Sequence, residues 1–233
     1  MKIKEPIIIL AGGFGTRLKT ITRDKPKALA DINGTPFIKI LIDKLIKNGF
    51  NNFIFSLHFG ASMIIDYLDQ VYEKDNLNFK YIVEKKPLGT GGAISFVISE
   101  LKIHNYFYVT NADTLLSKGY NSIIEENKNI ILSVKYDLSS RFGTLKIKDN
   151  KIIDFLEKDG QSKNAIINAG FYKLNANDFP IFNNKSFSIE KDLFPKLVSK
   201  KNLYTKTVES QFIDIGVPED YNLLTKKIKN DEF

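Results

Sequence analysis

Apolar residues run without a break from Ile7 to Ala11 and stop at Gly12-Gly13. A strand covered on both faces, as parallel sheets require, has this continuous pattern. Thr35 and Pro36 open an amphipathic stretch through Lys47, with Phe37, Ile40, Leu41, Leu45 and Ile46 apolar and Gly49 just past its end. Pro at the start and Gly at the stop bracket a helix. The pattern then alternates: strand at Phe53–Leu57, helix at Ala61–Tyr72, strand at Phe79–Val83, helix at Gly91–Leu101, strand at Tyr106–Thr110. Alternating strand and helix predicts an α/β first half. After Asn111 the rhythm changes. Ile130–Tyr136, Thr144–Ile147, Ile152–Leu156 and Ile166–Lys173 read as strands with few helices between them. A helix at Ile189–Ser199, strands at Tyr204–Val208 and Gln211–Ile215, and a closing helix from Pro218 complete the prediction. No repeat or linker divides the chain, so 1–233 is expected to form a single domain with two halves, 1–113 and 114–233.

Composition narrows the chemistry. The 233 residues hold no cysteine and two histidines, which excludes disulfides, thiolate metal sites and cysteine nucleophiles. Pro6 and the glycine pair cut the N-terminal apolar run far short of a membrane span, so a cytoplasmic protein with no membrane partner is expected. The net charge of +7 is spread along the chain among Glu and Asp, not gathered into a basic stripe. That distribution argues against nucleic acid and leaves a mild positive field suited to phosphorylated small molecules.

Leu10-Ala11-Gly12-Gly13-Phe14-Gly15-Thr16-Arg17-Leu18 places three glycines directly after the first strand, where backbone amides can approach phosphate closely. The dinucleotide-binding fingerprint is not met, because counting from Gly13 its last glycine falls on Leu18, and no Lys-Ser/Thr follows as in a P-loop. A plain strand-to-helix turn would explain the glycines but not Thr16-Arg17 or the cations Lys25 and Lys27. The strand Tyr106–Thr110 runs into Asn111-Ala112-Asp113-Thr114, which puts a carboxylate at the carboxyl edge of the sheet, where α/β proteins bind ligands. Mg²⁺ takes one or two carboxylates together with phosphate and water, so a second acid must come from elsewhere, and spacing does not select it.

LAGGFGTRL, with Lys27 of DKPKAL ten residues past Arg17, resembles the signature of the sugar-1-phosphate nucleotidyltransferases. The resemblance implies a Rossmann-like three-layer mixed sheet flanked by helices, with a small sugar-binding lobe. It implies transfer of a nucleotide from a triphosphate to a sugar 1-phosphate, with Mg²⁺ as cofactor, and makes 1–113 the nucleotide-binding half and 114–233 the sugar-phosphate-binding half. By the same resemblance Leu10, Ala11, Gly12, Gly13, Gly15 and Thr16 bind nucleotide and Arg17 the triphosphate. Lys27, with Lys25 as second choice, meets the phosphates at the reacting centre. Asp214 of FIDIGVP joins Asp113 on the metal, although Ala112 stands where many members have Gly. PLGTGGA resembles the base-binding segment, which adds Glu84 and Gly89. Glu157, Lys158, Asn168 and Gly143 resemble the residues around the sugar phosphate.

The motifs follow in family order over nearly the whole chain, as expected of a minimal catalytic unit that can form a homodimer. EKKPLGTGGAI, RFGT and FIDIGVPEDY are similar to the D-glycero-D-manno-heptose 1-phosphate guanosyltransferase branch, which implies GTP and a heptose 1-phosphate. The alternatives are mannose 1-phosphate guanylyl transfer, uridylyl transfer to another sugar 1-phosphate, and a non-catalytic subunit that senses nucleotide sugars.

Overall fold

The computed structural model describes residues 2–137, 142–156 and 165–233. In chain order the elements are β1 (Ile7–Ala11), α1 (Lys19–Thr22), β2 (Asp31–Ile32), β3 (Thr35–Pro36), α2 (Phe37–Lys47), β4 (Asn52–Leu57), α3 (Ala61–Tyr72) and β5 (Asn78–Val83). There follow α4 (Gly89–Leu101), β6 (Tyr106–Asn111), β7 (Thr114–Leu116), β8 (Ile130–Tyr136), β9 (Thr144–Lys148), β10 (Lys151–Leu156) and β11 (Ala165–Asn175). The chain ends with α5 (Phe194–Ser199), β12 (Tyr204–Val208), β13 (Phe212–Asp214) and α6 (Pro218–Lys229). Single 3-10 turns at Thr16–Leu18 and Lys27–Leu29 flank α1. Among the described residues no helix is long and apolar enough to cross a membrane.

Two compact units share the chain. The first comprises Met1–Pro87, Thr110–Ser117 and Gln211–Phe233, the second Leu88–Val109 and Lys118–Ser210.

In the first unit β4 lies between β1 and β5 and is parallel to both, with Ile7 opposite Phe53 and Leu57 opposite Val83. Ile7, Ile8 and Ile9 are fully buried, as their unbroken run requires. Phe37, Ile38, Leu41, Ile42 and Leu45 form the buried stripe of α2. Ile40 and Ile46 fall to its side, so the face is rotated from the one the apolar positions suggested. Each such side chain contributes about 1.5–3 kcal/mol when taken out of water. Phe79 of β5 packs edge-on to Phe53, Phe55 and Tyr72 at centroid distances of 5.2–5.4 Å. Short β2 and β3 pair across Asn33-Gly34, both with positive φ, the pair most suited to a two-residue hairpin turn.

In the second unit β8 pairs antiparallel with β11 and parallel with β12, and β9 and β10 form a hairpin. Asp149 and Asn150 close that hairpin in the left-handed region, which two-residue turns need and these two residue types tolerate. Residues 189–199 were expected to be one helix. They form a π turn at Ile189–Leu193 followed by α5, and the break has a local cause. Pro195 in the first turn of α5 has no amide to donate backward, so a single regular ladder cannot run through it.

Candidate active site

The carboxyl end of β1 opens into the Gly12–Gly15 loop. The Gly13, Phe14 and Gly15 amides donate to no acceptor among the described residues, and a Cβ on Gly13 would meet nothing within 4 Å. Gly15 is left-handed (φ 59°), and a Cβ there would stand 2.9 Å from Lys27 Cβ. Glycine is therefore what lets this loop close against the Lys27–Leu29 turn. Thr16 and Arg17 follow in a 3-10 turn, with the Leu18 amide donating to Gly15 O at 2.9 Å.

Lys27 ion-pairs with Asp113, both side chains remaining partly exposed. Two backbone links place Asp113. The Ala112 amide donates to Leu10 O at 3.1 Å, tying this segment to the end of β1, and the Ile215 amide donates to Asp113 O at 2.9 Å. Antiparallel pairing of β7 with β13 sets Asp214 opposite Thr114, so two acids 101 positions apart become neighbours. Asp214 Oδ1 accepts the Gly216 amide at 2.7 Å. A Cβ on Gly216 would lie 2.8 Å from that oxygen and 3.5 Å from an Arg17 guanidinium nitrogen. Two cations and two carboxylates thus gather beside a loop of open amides.

Two carboxylates are a donor set that fits a divalent cation. No group of three or more His, Cys, Asp or Glu that could hold a metal occurs among the described residues, so an ion held by these two would take the rest of its shell from phosphate and water oxygens.

Glu84 follows β5 and is only 7 % exposed. It lies next to Gly12, whose Cβ would stand 3.4 Å from Glu84 Oε1 and 3.3 Å from His58 Cβ. The Ser56 hydroxyl donates to Oε1 at 3.0 Å, the Glu84 amide donates to Leu57 O at 2.8 Å, and His58 Nδ1 is 2.9 Å from Glu84 O. Phe14 is 53 % exposed, with its ring edge-on to His58 at 5.5 Å and beside Phe59 at 5.6 Å. Motif reading passed over Ser56, His58 and Phe14. The signal was their position: two follow or end a strand beside β1, and the third stands among the loop glycines.

The first unit therefore brings together Leu10, Ala11, Gly12, Gly13, Gly15, Thr16, Arg17, Lys27, Glu84, Asp113 and Asp214. Lys25 is exposed, its amide donating to Thr22 O. Gly89, Gly143 and Asn168 belong to the second unit. Gly89 is left-handed (φ 68°) and is pressed against Phe187 O, 2.6 Å from where its Cβ would be. Gly143 is exposed just before β9. Asn168 stands where the β11–β8 register shifts, its amide group donating to Tyr172 Oη at 2.9 Å and its oxygen accepting the Gly170 amide at 2.9 Å. Glu157, Lys158 and Arg141, the first residue of the RFGT segment, lie outside the described residues.

A D-glycero-alpha-D-manno-heptose 1-phosphate guanylyltransferase of Campylobacter jejuni is 34% identical over 221 residues, covering 92% of this chain and 96% of that protein. The mannose-1-phosphate guanyltransferase 2 of Candida glabrata is 32% identical over 224 residues, and the match spans 92% of this chain but 62% of that longer protein. Among solved structures, HddC from Yersinia pseudotuberculosis complexed with GMP-PN superposes with a TM-score of 0.81 at 35% identity, covering 96% of this chain and 99% of that one. The fold is the mixed α/β nucleotide-diphospho-sugar transferase fold. The nucleotidyl transferase family model matches residues 7–231, and the chain belongs to that family.

Proposed function

We propose that this chain transfers a guanylyl group from GTP to D-glycero-α-D-manno-heptose 1-phosphate, forming a GDP-sugar and releasing pyrophosphate. The observation that carries this reading is the gathering of Arg17, Lys27, Asp113 and Asp214 beside the open amides of the glycine loop. The guanylyltransferases similar over nearly their whole length support the choice of base and sugar.

A phosphate oxygen of the sugar 1-phosphate attacks the α-phosphorus of GTP. The bond from that phosphorus to the bridging oxygen breaks, and pyrophosphate leaves with the electron pair. No covalent enzyme intermediate is required, so the protein supplies position and charge. The Gly13–Gly15 amides and Arg17 bind the triphosphate. Lys27 turns from Asp113 to the reacting phosphates. Asp113 and Asp214 would hold Mg²⁺, which when bound neutralises phosphate charge and polarises the α-phosphate. Glu84, acceptor-only when ionised, matches the N1–H and 2-amino donors of guanine. Glu157, Lys158, Asn168 and Gly143 remain assigned to the sugar phosphate, and Gly89 to the nucleotide. A cytoplasmic setting belongs to the same proposal, because both substrates carry phosphates that keep them from crossing membranes.

The test is pyrophosphate release with Mg²⁺, offering GTP, UTP, CTP and ATP against heptose, mannose and glucosamine 1-phosphates. Release with GTP and heptose 1-phosphate alone supports the reading. Equal release with mannose 1-phosphate would favour the second reading, which the similarity to mannose-1-phosphate guanyltransferases motivates. Silence with every pair would leave a nucleotide-sugar-sensing subunit. Sedimentation distinguishes a monomer from the expected homodimer.

A further inference from the structure

The second unit contains a cleft of about 440 Å³ that the reaction above does not use. Phe179, Phe182 and Phe187 wall it, Lys185 and Lys196 stand along it, and Ser95 of α4 also lines it. Ser95 is 2 % exposed, and its hydroxyl is the one buried side-chain polar group among the described residues with no hydrogen-bond partner. A serine inside a helix either points to solvent or donates to the carbonyl four residues back, and Ser95 does neither. An unpaired buried hydroxyl is costly, so an orphan beside a cleft points to a partner that is not protein.

The charges lining the cleft point the same way. Both carboxylates there are turned to protein donors. Asp178 accepts the side-chain amides of Asn129 at 2.7 Å and Asn202 at 3.4 Å, and Asp192 accepts the Ser188 amide at 2.7 Å. The Lys185 and Lys196 ammonium groups have no ion pair or hydrogen bond among the described residues. Ring walls, two uncommitted cations and one orphan hydroxyl define a complementary ligand. We propose that this cleft binds a planar aromatic anion, with its ring against the phenylalanines, its acid group toward Lys185 and Lys196, and a polar ring substituent on the Ser95 hydroxyl.

Occupancy reaches the PLGTGGA segment through Phe187. The Phe187 carbonyl accepts the Gly91 and Gly92 amides at 3.0 and 3.3 Å, its amide donates to Leu88 O at 3.0 Å, and the Ile189 amide donates to Thr90 Oγ1 at 2.9 Å. A ring leaning on Phe187 therefore biases the backbone around Gly89, and the ligand acts as an effector of nucleotide affinity. This second step rests on the assignment of Gly89 to the nucleotide; the binding step does not.

Calorimetric titration of the full chain uses indole-3-acetate and 1-naphthyl phosphate as aromatic carboxylate and phosphate, and octanoate as a ring-less anion. One site is expected for the aromatic anions, with octanoate at least about tenfold weaker, and the stronger aromatic probe identifies the acid group. Ser95→Ala, which removes only the hydroxyl, should weaken binding about fivefold, the scale of one hydrogen bond. A Lys185→Gln/Lys196→Gln variant should weaken it at least as much. Equal affinity for octanoate or unchanged affinity in both variants overturns the proposal. A bound probe that leaves the KM for GTP within about twofold overturns only the effector role. If the chain releases no pyrophosphate at all, the calorimetric result still decides the cleft.

Discussion

Two glycine segments look alike in the sequence and differ in the structure. Gly12-Gly13-Phe14-Gly15 follows a strand and Gly89-Thr90-Gly91-Gly92 is the first turn of α4, and both segments were expected at the nucleotide. In the first, Gly13 faces open space, Gly15 is held by Lys27, and Gly12 is in closer than ordinary contact with His58. In the second the chain itself fills the room. A Cβ on Gly91 would meet the Phe187 ring at 2.1 Å, and one on Gly92 would meet Lys185 O at 2.9 Å. Glycine in the first segment leaves open space beside Gly13; in the second it admits Phe187. The feature that separates them is a residue about a hundred positions downstream, which spacing cannot reveal.

If the first segment serves chemistry, removing the charge beside it should give the largest effect. Asp113→Asn should lower kcat about 10²–10³-fold, the scale seen when one group stabilising transition-state charge is removed. Denaturant titration should show the stability nearly unchanged, because the Lys27–Asp113 pair is partly exposed and such pairs contribute about 0–1 kcal/mol. Near-normal turnover in Asp113→Asn would break the comparison at its first member.

The second segment should respond in stability. Gly91→Ala places a methyl inside the Phe187 ring, and overpacking of this kind costs about 1–3 kcal/mol. For a chain of this size that lowers Tm by about 2–4 °C per kcal/mol. An unchanged Tm would mean that Phe187 moves freely, and would remove the contact through which the aromatic cleft reaches Gly89.

How much of this was legible follows from where the information lies. β1 was read with its observed limits because full burial on both faces writes an unbroken apolar run. The β2–β3 hairpin was not read, although Asn33-Gly34 is a strong turn signal, since strands of two residues carry no periodicity. Asp113 could be placed from the strand before it. Asp214 could be paired with it only through the family resemblance, because the β7–β13 ladder that joins them is a long-range contact. The burial of Glu84 was also invisible, as it depends on Ser56, Gly12 and the end of β4 meeting around a short loop. The interleaving of the two units left no mark in composition.

Gly13→Ala is the sharper test of difference. A Cβ there meets nothing within 4 Å, so stability should stay within about 0.5 kcal/mol of the parent, as for a surface change. If the loop amides take the triphosphate as proposed, its KM should nevertheless rise about tenfold, equivalent to ~1.4 kcal/mol, because the methyl narrows the open space beside them. A loss of stability with no change in KM would assign Gly13 to the same packing role as Gly91.

Gly12 lies between the two cases. Its Cβ would stand 3.3 Å from His58 Cβ and 3.4 Å from Glu84 Oε1, closer than at Gly13 and far less crowded than at Gly91. Shifts of a few tenths of an ångström at His58 and the Glu84 carboxylate should absorb an alanine, so Gly12→Ala should cost less than about 1 kcal/mol in stability. The displaced carboxylate is the proposed guanine acceptor, held by Ser56. Discrimination between GTP and UTP, measured as the ratio of their kcat/KM values, should therefore fall severalfold while turnover at saturating GTP stays near normal. Equal loss with both triphosphates would show that Gly12 positions phosphate and not base, and Glu84 would then be a buried structural acid that the loop packs against.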